Sequence, residues 1–320
     1  MKLVDKPLTD LQKKFSRLYV DSFYGKEYLS NTEVAIKAGY SPDSAYQRAY
    51  ELLNPRISPH VVQYIGKLKE DFSDIQIKKL QINQNFIKLY KKFCPGPITF
   101  VLKLKSKNRI SKNVTNKKKT LAVRFPKHSL TRKLLKELDF PLAAPSANIS
   151  TKVSAVSKKD VEEEFGNKIK FILDGGSSKI GLESTIVNLD PKPAILRLGA
   201  IEVSKINKVL KNKVNYKSKN NKNIVPGQGK LHYSPGIKIR RNVKNPKKHE
   251  AFLLIKKRKI SDKNFFYLTK NNNLNEAGKN LYRTLRMIKK LKYNSISVEN
   301  IPNKGIGQTI NDRLIRASKK

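Results

Sequence analysis

The stretch from Phe140 to Thr151, FPLAAPSANIST, carries no charge in a chain with 68 Lys and Arg against 25 Asp and Glu, a formal +43. Its Ser146, Asn148, Ser150 and Thr151 are short neutral groups. Such groups hydrogen-bond phosphate and nucleotide oxygens without fixing a charge beside a reacting centre. They suit equally a polar turn leading into the helix that should begin near Ser157. In TLAVRF, period two puts Thr120, Ala122 and Arg124 on one face and Leu121, Val123 and Phe125 on the other. A hydroxyl and a guanidinium separated by a small residue fit a carboxylate or phosphate, which arginine grips as a bidentate fork. The same spacing also describes an arginine facing solvent. In LDGGSSKIGLESTIVNLD, Gly175 and Gly176 permit a tight turn and Ser184 opens an alternating strand. Arg197 is an isolated cation on the apolar strand ILRLGAI. The glycine and lysine spacing of a P-loop is absent.

The elements that must position these groups follow from periodicity. Residues 73–210 alternate strands and helices, the pattern of an α/β layer. ITFVLKL, TLAVRF, FPLAAP, KFILD, STIVNL and AILRL read as strands, with PLAAP a buried strand ending at Pro145; SLTRKLLKEL and SKKDVEEEF read as helices. Past the carboxyl end of a strand is where open α/β sheets bind ligands, and Ser146 to Thr151 fall there. Residues 211–224 are rich in Lys and Asn and read as a solvated linker, followed by PGQGKLHYSPG. From about 250 the alternation resumes in AFLLI, FFYLT, a helix with Ala277, Leu281, Leu285 and Ile288 on one stripe, SISVEN, and a closing helix TINDRLIRASKK.

Residues 1–72 read as helical. Leu11, Phe15, Leu18 and Tyr19 share one stripe. Thr32 is placed to cap the next helix, with Glu33 against its dipole and Gly39 at its end. Ser41-Pro42-Asp43 starts another helix and Asn54-Pro55 stops it, which makes a helix-turn-helix pattern.

Composition closes off several classes. No run of about 18 apolar residues is present, which excludes a spanning helix, and the first residues have no secretory apolar region. Cys94 is the only cysteine and the four histidines are scattered, so no thiolate cage or His cluster is expected and the metal-site reading is none. A cytoplasmic protein follows. The excess of lysine fits either a nucleic-acid-binding face or the drift that an AT-rich genome writes onto tolerant surface positions.

Taken in order, KKFCPGPITFVLKL, TLAVRFP, PLAAPSANIS, ILDGG, GLESTIVNL and ILRLGAI resemble the threonylcarbamoyl-AMP synthase family, whose core has the YrdC-like fold. HYSPG, LYRTLRMI and GIGQTINDRLIRAS resemble the linker and C-terminal domain of its long form. The resemblance implies an α/β protein with an incomplete YrdC-like open sheet and a small C-terminal α/β domain behind an all-α N-terminal segment. The implied division is 1–72, 73–210 as nucleotide-binding core, 211–249 as linker and 250–320 as C-terminal domain. The implied activity joins L-threonine, bicarbonate and ATP, with Mg²⁺ on the triphosphate, into threonylcarbamoyl-adenylate and pyrophosphate for tRNA modification. By motif position, Thr120, Ser146, Ser154, Arg197 and Tyr233 would contact ATP, with Tyr233 a lid from the linker. Arg124, Ala144 and Ser184 would hold threonine, and no protein nucleophile is called for. The family's opening strand with its T-x-T-x-Y-G-L-type motif and the following K-x-R-P segment have no counterpart here. Upstream, NTEVAIKAGYSPDSAYQRAYELLNPRI is instead similar to the N-terminal domain of phage terminase small subunits. That resemblance implies DNA as a partner, with Tyr46, Gln47, Arg48 and Tyr50 as the exposed candidates on the second helix.

Overall fold

A computed structural model of the chain describes residues 6–24, 29–65, 80–106, 110–138, 140–216, 226–227 and 231–319. They fall into two compact units. The first comprises 1–81, 104–109 and 132–143, and the second 82–103, 110–131 and 144–320.

The first unit holds helices α1 (Asp10–Tyr24), α2 (Asn31–Ala38) and α3 (Pro42–Leu53), with a further helical stretch at 59–65. Phe15, Val34, Ala35, Ala38, Ala45, Ala49, Leu52, Val61 and Ile65 form its buried core, and Leu18 and Tyr19 pack on it. Leu11, expected on the same stripe, is instead exposed. The cap of α2 is Ser30 rather than Thr32. Ser30 Oγ accepts the Glu33 amide while the Glu33 carboxylate accepts the Ser30 amide at 2.7 Å. The reason is spacing: a capping box needs its acid three residues after the cap, and only position 30 stands so to Glu33. Gly39 ends α2 in the left-handed region, and Ser41-Pro42 starts α3 with proline in the first turn.

The second unit carries two sheets. The first has strand order β2-β1-β3-β4-β5, from β1 (Ile98–Lys103), β2 (Thr120–Arg124), β3 (Thr185–Asn188), β4 (Ala194–Arg197) and β5 (Asn215–Tyr216). Pairing is antiparallel for β1–β2 and β3–β4 and parallel for β1–β3 and β4–β5. Helix α4 (Gln84–Phe93) precedes β1. The expected helices form as α5 (Ser129–Glu137), of which residues 132–137 belong to the first unit, and α6 (Lys158–Phe165), and α7 (Val203–Leu210) follows β4. The second sheet is wholly parallel, β6-β9-β7-β8, from β6 (Lys238–Arg241), β7 (Glu250–Lys256), β8 (Phe265–Thr269) and β9 (Ser295–Val298). It packs with α8 (Leu274–Lys290) and α9 (Ile306–Ala317) around Leu253, Leu268, Leu281, Leu285, Ile296, Ile310 and their neighbours.

Three expectations fail. PLAAP is not a buried strand: residues 140–147 are exposed and join no ladder. KFILD is not a strand either, and Phe171 and Leu173 stand 89% and 61% exposed. An apolar run becomes a strand only where a neighbour offers hydrogen bonds along its length, and among the described residues none does. Conversely, the supposed linker 211–249 holds two strands: Asn215 and Tyr216 pair with Ala194 and Ile195, and β6 pairs with β9. Residues 217–225 lie outside the described residues.

Candidate functional site

One row of residues crosses the first sheet. Arg124 on β2 is paired with Thr99 on β1, Thr99 with Ile186 on β3, and Ile186 with Arg197 on β4. Partners in register share a face, so both arginines and Thr99 project to one side, with Ser184 two residues before Ile186 on the same side. The register of β3 and β4 shifts between Ile186 and Val187, a bulge of the kind that re-aims a side chain. Arg197 then donates to the Ser184 carbonyl from Nε at 3.2 Å and from a terminal nitrogen at 2.9 Å. The same terminal nitrogen reaches Ser184 Oγ at 3.0 Å. Ser184 Oγ and Thr99 Oγ1 are 2.7 Å apart.

Gly199 lets this loop close. A Cβ there would lie 2.4 Å from the backbone at Ser184 and Thr185. The amide of Ala200 donates to the Glu183 carbonyl at 2.9 Å, and Thr185 Oγ1 bonds both the carbonyl and the amide of Ile201. Ser184 is therefore held from both sides.

Both cations are lowered from their ordinary values. Desolvation, and then the charge of Arg197, lowers the Arg124 guanidinium from its ordinary value. Burial likewise lowers Arg197, partly offset by Tyr233 and Glu183. Among the described residues Arg124 has no ion-pair or hydrogen-bond partner. Such a pair facing one space favours an anion between them.

Behind Ser184 lies a buried carboxylate. Glu183 accepts from Ser154 Oγ at 2.7 Å, from the Tyr282 hydroxyl at 2.9 and 3.0 Å, and from Arg313 Nε at 3.1 Å. Burial pushes its carboxyl up, but Arg313, Arg197 and the Ser154 hydrogen bond outweigh that and hold it below the usual carboxylate value. Arg313 also donates to the Leu198 carbonyl and to Asp312. Its guanidinium lies 4.6 Å from the centroid of the Tyr233 ring, whose other contacts are the Tyr282 ring at 5.8 Å and the His232 ring at 4.1 Å.

Tyr233, expected from the linker, is thus buried within the second unit, with positive φ and a backbone held by the Ser234 amide on the Thr151 carbonyl at 2.9 Å. Its hydroxyl is buried with no hydrogen-bond partner among the described residues. Leaving a hydroxyl so costs about 1–3 kcal/mol, which a ligand acceptor would recover. Gly227, at positive φ, allows the approach: a Cβ there would meet the Tyr233 hydroxyl at 2.2 Å and Arg197 Cδ at 3.2 Å. The Pro226 carbonyl accepts from Arg197 at 3.3 Å.

Of the sequence-derived candidates, the structure links Ser184, Arg197, Ser154 and Tyr233 through the contacts above and sets Arg124 in the same strand-register row. Thr120 shares the Arg124 face at the far end of β2, opposite Lys103. Ala144 and Ser146 stand exposed in the irregular 140–147 segment, with no side-chain contact to the row. Thr99, Glu183, Tyr282, Arg313 and Gly227 escaped the sequence reading. A lone acid in the otherwise uncharged GLESTIVNL was the available signal for Glu183.

In the first unit, Tyr46 and Tyr50 are exposed on α3, but Gln47 and Arg48 both contact Glu51, at 3.2 and 2.9 Å. Residues 1–65 hold nine Lys and Arg against seven Asp and Glu, so they contribute only +2 to the chain's formal +43. Nothing in the structure or the relatives supports the DNA-binding alternative.

The telomere recombination family profile matches residues 64–199, and that of the threonylcarbamoyl-AMP synthase C-terminal domain matches 201–319. The threonylcarbamoyl-AMP synthase of Pyrococcus abyssi is 29% identical over 310 residues, covering 90% of this chain and 88% of its own. That of Bacillus subtilis is 30% identical over 249 residues, 72% of each chain. Among solved structures, P. abyssi Sua5 complexed with L-threonine superposes with a TM-score of 0.68 at 30% identity, over 76% of this chain and 77% of its own. A His-to-Ala, Tyr-to-Ala double variant of the same protein gives 0.65 at 29% identity, over 76% of each chain. By sequence and by fold, this chain belongs to the threonylcarbamoyl-AMP synthase family.

Proposed function

We propose that the chain makes threonylcarbamoyl-adenylate from L-threonine, bicarbonate and ATP, using the face of the first sheet that carries Arg124, Thr99, Ser184 and Arg197. The observation that supports this most is the row itself: two guanidinia, both lowered first by burial, flank a pair of hydroxyls. The P. abyssi relative with this fold was crystallised with L-threonine. In this reading Arg124 takes the threonine carboxylate in a fork, and Ser184 with the Ala144 backbone completes that side. Arg197, Ser154, Thr120 and Ser146 face ATP, and the orphan hydroxyl of Tyr233 donates to the nucleotide, covering it from the linker.

Chemically, the threonine amine combines with bicarbonate, losing water, to give a carbamate. A carbamate oxygen then attacks the α-phosphorus, and the bond to pyrophosphate breaks. The protein holds these groups in line and balances charge, which is the work that positioned guanidinia and hydroxyls do. Among the described residues no three or more His, Cys, Asp or Glu gather into a metal cage, and Glu183 is fully engaged by its own partners. Mg²⁺ would therefore come bound to the triphosphate, where it neutralises charge. The four-segment division follows the same logic: 73–210 for substrates, 211–249 as cover, 250–320 as support, with 1–72 outside the chemistry. The product is proposed to serve tRNA modification in the cytoplasm, alongside the machinery that transfers it. No helix among the described residues is long and apolar enough to cross a membrane.

Pyrophosphate release from ATP, Mg²⁺ and bicarbonate, with and without L-threonine, tests the reading. Arg124→Ala removes a charge-assisted contact worth about 1.5–3 kcal/mol, so threonine-dependent release should fall about 10- to 100-fold. No threonine dependence in the folded wild type would sink the proposal.

A further inference from the structure

We infer that Glu183 is a positioning residue through which the C-terminal sheet and helices hold the nucleotide side of the pocket. This rests on the proposed reading of Ser154 and Tyr233 as nucleotide contacts. The geometry ties the core to the C-terminal helices at that side through Glu183. The carboxylate of Glu183 fixes the Ser154 hydroxyl directly, and two of its other partners, Tyr282 on α8 and Arg313 on α9, lie 99 and 130 residues away.

Arg313 in turn lies over the Tyr233 ring, while Tyr282 stacks on the same ring. One turn along α8, Arg286 donates to the Val153 carbonyl at 2.6 Å and pairs with Glu164 at 3.0 Å. Side chain and backbone of the 153–154 segment are thus both gripped from α8 and α9. Leu198, whose carbonyl Arg313 also takes, follows Arg197 directly.

Three donor protons converge on the carboxylate: Ser154 on one oxygen, Arg313 on the other, and the Tyr282 hydroxyl shared between the two. Held so, Glu183 orients groups that touch the nucleotide. An apolar core would pack these helices at lower desolvation cost. Buried polar groups placed beside Ser184 and Arg197 gain orientation that apolar packing does not provide.

The test compares full-length wild type, Glu183→Gln, Tyr282→Phe and a packing control, Leu268→Ala in β8. Calorimetric binding of ATP with Mg²⁺ and of L-threonine is measured for each, with melting temperature. Losing the charge should weaken ATP about tenfold in Glu183→Gln, while threonine stays within about twofold. Tyr282→Phe, which keeps the ring stack, should weaken ATP about threefold. Leu268→Ala should lower the melting temperature and leave both affinities alone.

Wild-type ATP affinity in Glu183→Gln overturns the inference, as does parallel loss of both ligands in step with melting temperature. Pyrophosphate release is followed alongside. Wild type that binds ATP without releasing pyrophosphate overturns the proposed activity but leaves the positioning comparison readable. Wild type that binds no ATP overturns both.

Discussion

The two sheets of the second unit alternate equally clearly in sequence, yet only in the C-terminal one do all the expected strands pair, and there β6, from the supposed linker, adds an edge. In the C-terminal sheet AFLLI, FFYLT and SISVEN all form strands, each parallel to a neighbour, and Phe252, Leu253, Leu254 and Ile296 are fully buried. In the first sheet ITFVLKL, TLAVRF, STIVNL and AILRL pair, while FPLAAP and KFILD stay outside any ladder. Ile169, Phe171 and Leu173 keep their period-two spacing and remain exposed. Alternation is a local property and pairing is not. A strand needs both a buried face and a partner edge, and the sequence of the strand reports only the first.

The largest expected effect tests that contrast directly. Phe252 is fully buried in β7, edge-on to Phe265 at 5.4 Å and with Arg258 5.1 Å above its ring. Phe252→Ala should cost about 3–5 kcal/mol in urea unfolding. Phe171→Ala should stay within about 0.5 kcal/mol of wild type, since that ring is exposed. Similar costs for the two would mean that the 170–174 segment is packed after all, and the contrast between the sheets would collapse.

A middle-sized effect lies where the first sheet carries its site. Gly199→Ala places a methyl against the backbone at Ser184 and Thr185, which has no side-chain slack to yield. Overpacking of that kind costs about 1–3 kcal/mol. Because the displaced residue is Ser184, threonine binding should weaken with stability. An unchanged threonine affinity in a destabilised variant would separate the loop from the site.

Much of the site was readable because strand parity and motif order are local. Thr120 and Arg124 were placed on one face from spacing alone, and the structure puts that face in register with Thr99 and Arg197. The bulge that turns Arg197 onto Ser184 was not readable, since it depends on the pairing of β3 with β4. Nor was the role of Glu183, whose partners are distant in sequence. At α2, Thr32 stands directly before Glu33, and only the reciprocal bond to Glu33 three residues on marks Ser30 as the cap. The exposed 140–147 segment shows the other limit: a run that is apolar and too short for a helix still needs a partner edge to become a strand.

The smallest effect concerns pH, and it separates the two sheets again. His232 sits beside Tyr233 and is lowered from its ordinary value by burial first, with Arg313, Arg197 and Arg316 adding to the effect. Its folded state thus binds fewer protons than the unfolded chain near neutrality. The stability this gives is complete above the unfolded value of about 6.5 and is lost as pH falls through it toward the folded value. Glu183, also depressed, gives stability above the unfolded carboxylate range that is lost only in stronger acid. Midpoints of urea unfolding should therefore begin to fall below about pH 6.5 in wild type. In His232→Asn the fall should be delayed to the carboxylate range, while Phe252→Ala shifts the whole curve without changing its shape. A His232→Asn curve that drops in parallel with wild type would show that this ring does not meet the arginines in its charged form. The acid sensitivity would then have to come from elsewhere in the molecule.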